Sequence, residues 1–189
     1  MKVLIALAHP DVNEQSIANK IIIERLVDRD NIEVRDLYRM YPDFNINVDA
    51  EQKALLGADI VIFQYPFHWY SMPGMLKEWL DRVFLHGFAH GDTGDKLKGK
   101  SFMISTTIGG PDQSYSEGGL NSFTVEEFLK PLQQMAKRCG MIYHPPIVSH
   151  NMVYIPDSYG DKLEVEQRAV AHANKLVEFI NSLDFRQCN

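Results

Sequence analysis

The run Asp59-Ile60-Val61-Ile62-Phe63 constrains the fold of this chain more than any other stretch. β-Branched and aromatic residues follow one another there without polar alternation, the pattern of a strand buried on both faces of a sheet. A strand of that kind needs helices above and below it, and the rest of the chain must supply them. Directly behind it, Pro73 suits the first turn of a helix, where its missing N–H is not needed. Met75, Leu76, Trp79, Leu80, Val83 and Phe84 then recur at helical spacing. Between strand and helix lie Phe67, Trp69 and Tyr70 with His68 and Ser71, more aromatic and donor groups than a plain connection requires. They either bury the edge of a core or line a site, and the other loops must decide between the two.

The remainder of the chain repeats this unit. Residues 3–8 read as a buried strand, and residues 16–27 as a helix with Ala18, Ile22 and Leu26 on one face and Ser16 as its N-cap. Ile32 and Val34 alternate with Glu33 and Arg35, giving a short second strand, followed by a polar and aromatic loop over 38–49 and a helix over 50–56. After the third strand and its helix, the glycine-rich residues 87–94 form a loop and residues 101–107 a fourth strand. A long connection over 108–122 leads to a capping box at Thr124 and Glu127, whose helix Pro131 is expected to kink or restart before it ends at Cys139-Gly140. Residues 141–149 read as a fifth strand containing Pro145-Pro146, and residues 163–183 as a final amphipathic helix. Five strands alternating with helices specify an α/β fold, a doubly wound five-stranded parallel sheet.

In the strand order 2-1-3-4-5 the winding reverses between the first and third strands and opens a crevice at their carboxyl ends. The segments that would border it, over 9–19, 66–72 and 106–121, are also the loops richest in hydroxyl, imidazole, aromatic and glycine residues. With 189 residues at 45% hydrophobic composition, one core and a single domain over 1–189 are expected. A net charge of −6 with scattered Lys and Arg argues against nucleic acid or an anionic membrane surface as partner. Cys139 and Cys188 have no metal-type spacing, the N-terminal residues lack a signal-peptide pattern, and no apolar run reaches the roughly 20 residues of a membrane span. A cytoplasmic setting is therefore expected. His86 and His90 are four apart, but Gly87 and Gly91 oppose the helix that would bring both imidazoles to one metal, and no G-x-S-x-G elbow occurs.

The first of the three loops contains no glycine, which excludes a dinucleotide fingerprint and a P-loop. A phosphate can still bind where the helix begins, because free N–H groups and the positive dipole end point at it and Ser16 adds a hydroxyl. Ser16 can equally be no more than a cap, and His9 either a neutral core histidine or a donor. The segment Thr106-Thr107-Ile108-Gly109-Gly110-Pro111 brings main-chain N–H groups close to something planar or anionic. Opposite Phe67, Trp69 and Tyr70, a flavin fits: apolar at one end of its ring, polar at the pyrimidine edge, and carrying a phosphate.

On these residues the chain resembles the flavodoxin-like NAD(P)H:quinone oxidoreductases, and most of all their short bacterial members, among them ancillary proteins of potassium-efflux systems and general stress proteins. The similarity rests on Ala8-His9-Pro10 with Ser16 and Asn19, residues 37–44, 64–73 and 77–84, Gly87-Phe88-Ala89, and Thr106-Thr107 with Gly109-Gly110. It implies that His9, Ser16, Ile17, Ala18 and Asn19 surround a flavin phosphate and ribityl chain. It further implies that Pro66, Phe67, His68, Trp69 and Tyr70 line the ring, and that Thr106, Thr107, Gly109 and Gly110 meet its pyrimidine edge. Tyr115 matches a tyrosine that stabilises charge on the reduced ring in larger relatives, and Asn121 stands where those have a histidine; both are candidate catalytic positions. Ile108 interrupts the usual Thr-Thr-Gly-Gly run, and His90 replaces a commoner tyrosine. The resemblance implies FMN, with FAD as the alternative, NADH or NADPH as hydride donor, a quinone-type acceptor, and a homodimer. Docking on a membrane potassium transporter and one-electron transfer of the flavodoxin type are the competing functions.

Overall fold

The computed structural model describes residues 1–187, which leaves Cys188 outside the described residues. A parallel sheet runs in the order β2-β1-β3-β4-β5, with β1 at Val3–Leu7, β2 at Ile32–Asp36, β3 at Ile60–Pro66, β4 at Ser101–Thr107 and β5 at Ile142–Tyr143. A sixth strand, β6 at Ile147–Ser149, also pairs with β4. The expected fifth strand is thus broken in two. Pro145-Pro146 cannot donate to a ladder, so β5 pairs with the first residues of β4, Ser101 and Phe102, and β6 resumes at Ser105.

Six helices connect the strands: α1 (Ile17–Glu24), α2 (Leu37–Met40), α3 (Val48–Gly57), α4 (Gly74–Val83), α5 (Val125–Arg138) and α6 (Lys162–Gln187). Strand alternation sorts the core into two layers. Val3, Ile5, Ile60, Ile62 and Met103 face α1 and α6, where Ala18, Ile22, Leu26, Ala169, Ala173 and Leu176 are buried. Leu4, Ala6, Val61, Phe63, Phe102 and Ile104 face the other layer, closed by Leu55, Trp79, Leu129 and Leu132. Phe63 anchors that layer by edge contacts to Trp79 and Phe102 at centroid distances of 5.7 and 4.8 Å.

Local chemistry explains where the expected boundaries moved. Asp36 accepts the Arg39 N–H and starts the short α2 inside what reads as a loop, and Asn47 caps α3 by accepting from Ala50 N. Pro131 does not break α5. The carbonyl deprived of its N–H belongs to Glu127, on the exposed face of the helix, so the helix continues unbroken after its Thr124/Glu127 capping box. Among the described residues no helix is long and apolar enough to cross a membrane.

Among the described residues one carboxylate is buried. Glu51 of α3 is fully buried and accepts from Arg35 Nε at 2.7 Å, from Trp79 Nε1 at 2.9 Å, and from the Tyr41 hydroxyl. Burial alone would raise its pKa, and these donors together overcome that and lower it.

Candidate functional site

The switch between β1 and β3 opens where the topology requires, and the loops after β1, β3 and β4 meet there. They enclose a cavity of about 410 Å³ lined by His9, Pro10, Glu14, Gln15, Ser16, Ile17, Asn19, Pro66, Phe67, His68, Thr107 and Gly109. Residues 152–154 and Pro156, which follow β6, close its fourth side. A larger groove of about 540 Å³ lies at the opposite end of β1 and β2, among Lys2, Asp30, Glu33, Arg35 and Lys53. It gathers charges of both signs and the C-terminal end of α3, with no helix N-terminus among its lining residues, so volume alone does not choose the site.

One end of the cavity is built from α1. Ser16 is its N-cap in extended conformation, and its Oγ accepts the Asn19 N–H at 3.0 Å, which leaves the N–H groups of Ile17 and Ala18 without helical partners. Asn19 is 2% exposed and spends both amide protons on the site's hydroxyls: one goes to Ser16 Oγ and one to Thr107 Oγ1, each at 3.0 Å. Gln64, the one polar side chain within β3, holds Asn19 in turn, donating to its Oδ1 at 2.8 Å. His9 Nδ1 accepts the Asp11 N–H at 3.1 Å, so a neutral His9 carries its proton on Nε2 and is a donor. Burial first, and then the neighbouring His68, lower its pKa to about 4, which keeps it neutral at ordinary pH. No Lys or Arg lines this cavity; the positive potential comes from the helix end.

The aromatic wall divides. Phe67 faces the cavity, while Trp69 and Tyr70 occupy the two central positions of a tight hairpin closed by His68 N to Ser71 O at 2.9 Å and Ser71 N to His68 O at 3.0 Å. Both have positive φ, 46° and 63°, a conformation that costs bulky residues roughly 1–2 kcal/mol each. The hairpin leaves Trp69 92% exposed and lays Tyr70 on Phe128 at 5.1 Å. Tyr115 packs its edge against Phe67 at 6.1 Å, and burial, then Tyr70, raise its pKa, so the phenol stays protonated.

Seven of the expected residues do not line the cavity. The Thr106 hydroxyl donates to the Tyr65 carbonyl, because alternation along β4 gives Thr107 to the cavity and Thr106 to the opposite layer. The Ala18 side chain belongs to the core under α1 and can face a ligand only through its backbone. Trp69 stands away from the cavity at the hairpin tip. Asn121 contacts the Tyr70 hydroxyl at 3.2 Å and forms no bond to Tyr115. Tyr70, Gly110 and Tyr115 likewise lie outside the cavity lining, in the aromatic cluster next to it, with Phe67 bridging the two.

Ile108 does not disrupt the glycine turn. It is buried, its N–H donates to the Ser149 carbonyl at 2.8 Å and its carbonyl accepts from Met152 at 2.9 Å, so it pins the turn to the chain after β6. A Cβ at Gly109 would lie 2.9 Å from Val153 Cγ2, so a side chain there would have to push Val153 aside. His150 donates from Nδ1 to the Gly110 carbonyl at 3.2 Å and places its ring 5.4 Å from that of Tyr115. Sequence reasoning missed His150, Gln64 and residues 152–156. Only Gln64 carried a local signal, as a polar residue inside an apolar strand.

A doubly wound sheet with a helix N-terminus, an aromatic wall and a glycine turn around its switch point has the parts that a phosphate-bearing heteroaromatic ligand needs. Residues 1–174 match the protein family described by its flavodoxin-like fold, and the chain belongs to that family. It is 39% identical over 184 residues to an uncharacterized NAD(P)H oxidoreductase, YdeQ, of Bacillus subtilis, covering 97% of this chain and 88% of that one. It is 45% identical over 148 residues to the glutathione-regulated potassium-efflux system ancillary protein KefF of Klebsiella aerogenes, covering 78% and 82%. The crystal structure of general stress protein 14 from Treponema denticola in complex with FMN superposes with a TM-score of 0.84 at 32% identity, over 94% of this chain and 99% of that one.

Proposed function

We propose that this protein is a flavin-dependent NAD(P)H oxidoreductase that reduces quinones or related acceptors by two electrons, with FMN as its cofactor. The observation that carries this reading is the convergence on one cavity of a capped helix N-terminus, a neutral His9 donor, the Phe67 face and the Gly109 turn. The donor set fits the group: Ser16, His9 and the free N–H groups of α1 suit a phosphate, and Phe67 suits the face of a ring. Bound flavin supplies hydride acceptance from the nicotinamide and hydride delivery to the acceptor. Ser16, His9 and the start of α1 would hold the phosphate, Phe67 would cover one ring face, and the glycine turn, with the neighbouring Tyr115 phenol, would offer donors to the ring edge. Donor and acceptor use the same open face in turn, so the kinetics are ping-pong. The names of the oxidoreductase and FMN-bound relatives support the class and the cofactor. Releasing the cofactor from purified protein and identifying it by mass tests the assignment and separates FMN from FAD.

A homodimer accompanies this reading. Trp69, Tyr70, Leu120 and Phe123 are exposed together beside the cavity, a patch suited to a second copy completing the acceptor site, and light scattering of the purified chain tests it. The likeness to KefF favours one further role, docking on a potassium-efflux transporter, which co-purification with such a transporter tests.

A further inference from the structure

The hydrogen-bond chain that orders the cavity does not stop at Gln64. Ser105 of β4 is fully buried and its Oγ lies 2.5 Å from Gln64 Oε1 and 2.7 Å from Nε2 of His172. His172 is itself fully buried, on α6 and outside the cavity lining, and its Nδ1 lies 2.8 Å from Ser149 Oγ. Seven side chains thus form one chain through the sheet, from Ser149 by way of His172, Ser105, Gln64 and Asn19 to Ser16 and Thr107, without a break and with no unpaired buried side-chain polar atom among the described residues.

A chain of this kind has a direction. Gln64 donates its amide to Asn19, so its Oε1 must accept, and the one hydroxyl within reach is Ser105. Ser105 has then used its proton and must accept from His172, which fixes the imidazole proton on Nε2 and leaves Nδ1 to accept from Ser149. At the other end, Asn19 gives its two protons to Ser16 and Thr107. The Ser16 oxygen accepts twice from Asn19, so its own proton points outward, and the Thr107 proton is likewise released toward the cavity. Moving the imidazole proton to Nδ1 reverses every step: Ser105 donates to His172, both amides turn over, and Ser16 and Thr107 spend their protons on Asn19. The cavity then offers lone pairs where an anion needs donors.

We propose that His172 is a positioning residue for the cavity: by holding its proton on Nε2 it sets the direction of the buried chain and so presents Ser16 and Thr107 as donors to an anionic ligand. This rests on the flavin reading for the ligand, and the phosphate is the group that senses the donors. Burial, then Lys175, lower the His172 pKa to about 4, consistent with a neutral ring that must choose one tautomer.

Two measurements test it. Long-range proton–nitrogen NMR of the full chain loaded with FMN at neutral pH, with the His172 signal identified by its loss in His172→Gln, reads the tautomer directly. The Nε2–H form is expected, and the Nδ1–H form or an imidazolium overturns the proposal. Titration with FMN and with riboflavin, which has the same ring and no phosphate, supplies the second readout. His172→Phe should lose roughly 10-fold in FMN affinity with riboflavin affinity unchanged, and His172→Gln, whose amide can still donate to Ser105, should stay within about twofold of the unsubstituted protein for both ligands. Equal losses for the two ligands would reduce His172 to a packing residue. If the unsubstituted protein takes up neither flavin, the functional reading fails, and the tautomer read on the ligand-free chain still decides the direction of the buried chain.

Discussion

The Tyr70 hydroxyl donates to Asn121 Oδ1 at 3.2 Å, tying the hairpin after β3 to the long loop after β4 across 51 positions of sequence. The Asn121 side chain thereby holds Tyr70, which stacks on Phe128 at 5.1 Å. Asn121→Ala should therefore leave flavin affinity within about twofold. Because the bond is exposed, it should cost about 0.5–1.5 kcal/mol of stability or less. Flavin titration and urea unfolding measure the two effects. A large loss of reduction rate at unchanged affinity would return Asn121 to the chemistry.

Ser16→Asp should weaken FMN binding roughly 100-fold or more, since a carboxylate at the start of α1 meets the phosphate with like charge in place of a donor. Ser114→Asp, in the loop after β4 and outside the cavity, is the control and should change affinity little. Calorimetry on protein freed of cofactor decides it. Equal affinities in the two variants would place the phosphate elsewhere and leave Ser16 as a cap only.

Tyr115 packs on Phe67, and a Cβ at Gly110 would lie 3.8 Å from its hydroxyl, so the phenol stands over the glycine turn. A donor that acts where charge develops stabilises the transition state more than the oxidised ground state. Tyr115→Phe should retain flavin and slow its reduction by NAD(P)H roughly 10- to 100-fold, a loss of about 1–3 kcal/mol, in anaerobic stopped-flow measurements. An unchanged rate assigns Tyr115 to packing alone.

The order of strands and the three loops at the switch point were legible because unbroken apolar runs and glycine clusters are local signals. The break of the last strand was only hinted at by Pro145-Pro146, since pairing both halves with β4 is a property of the sheet and not of the segment. Within the loops, sequence placed the cavity residues at the start of α1 better than those of the aromatic wall. Ser16, Asn19 and His9 act through a helix start that the sequence marks. The fates of Trp69, Tyr70 and Asn121 depend on a hairpin with two positive φ values that no glycine announces. His150 and His172 gave no signal because each acts through partners 23 or more positions away.

Glu51 links α3 to Arg35, Tyr41 and Trp79, and removing one partner of such a buried pair leaves an uncompensated charge. Glu51→Ala should destabilise the fold by about 3–5 kcal/mol in urea unfolding, without altering the site, which it does not touch. Because the pKa of Glu51 is lowered in the folded protein, its contribution is present above the unfolded value of about 4.3 and is lost as pH falls through the folded one. The acid limb of the curve of stability against pH should therefore flatten in Glu51→Gln. A stability curve that keeps its slope would assign acid sensitivity to other groups.

The proposed function requires that the cavity between the loops after β1, β3 and β4 hold a flavin that NAD(P)H reduces. Anaerobic addition of NADH or NADPH to the purified chain loaded with FMN, followed by the visible absorbance of the bound flavin, tests it in one experiment. One flavin should be taken up per chain, bleached by one equivalent of reduced nicotinamide and restored when a quinone is added. A chain that stays colourless after exposure to FMN, or whose bound flavin neither nicotinamide bleaches, would contradict it.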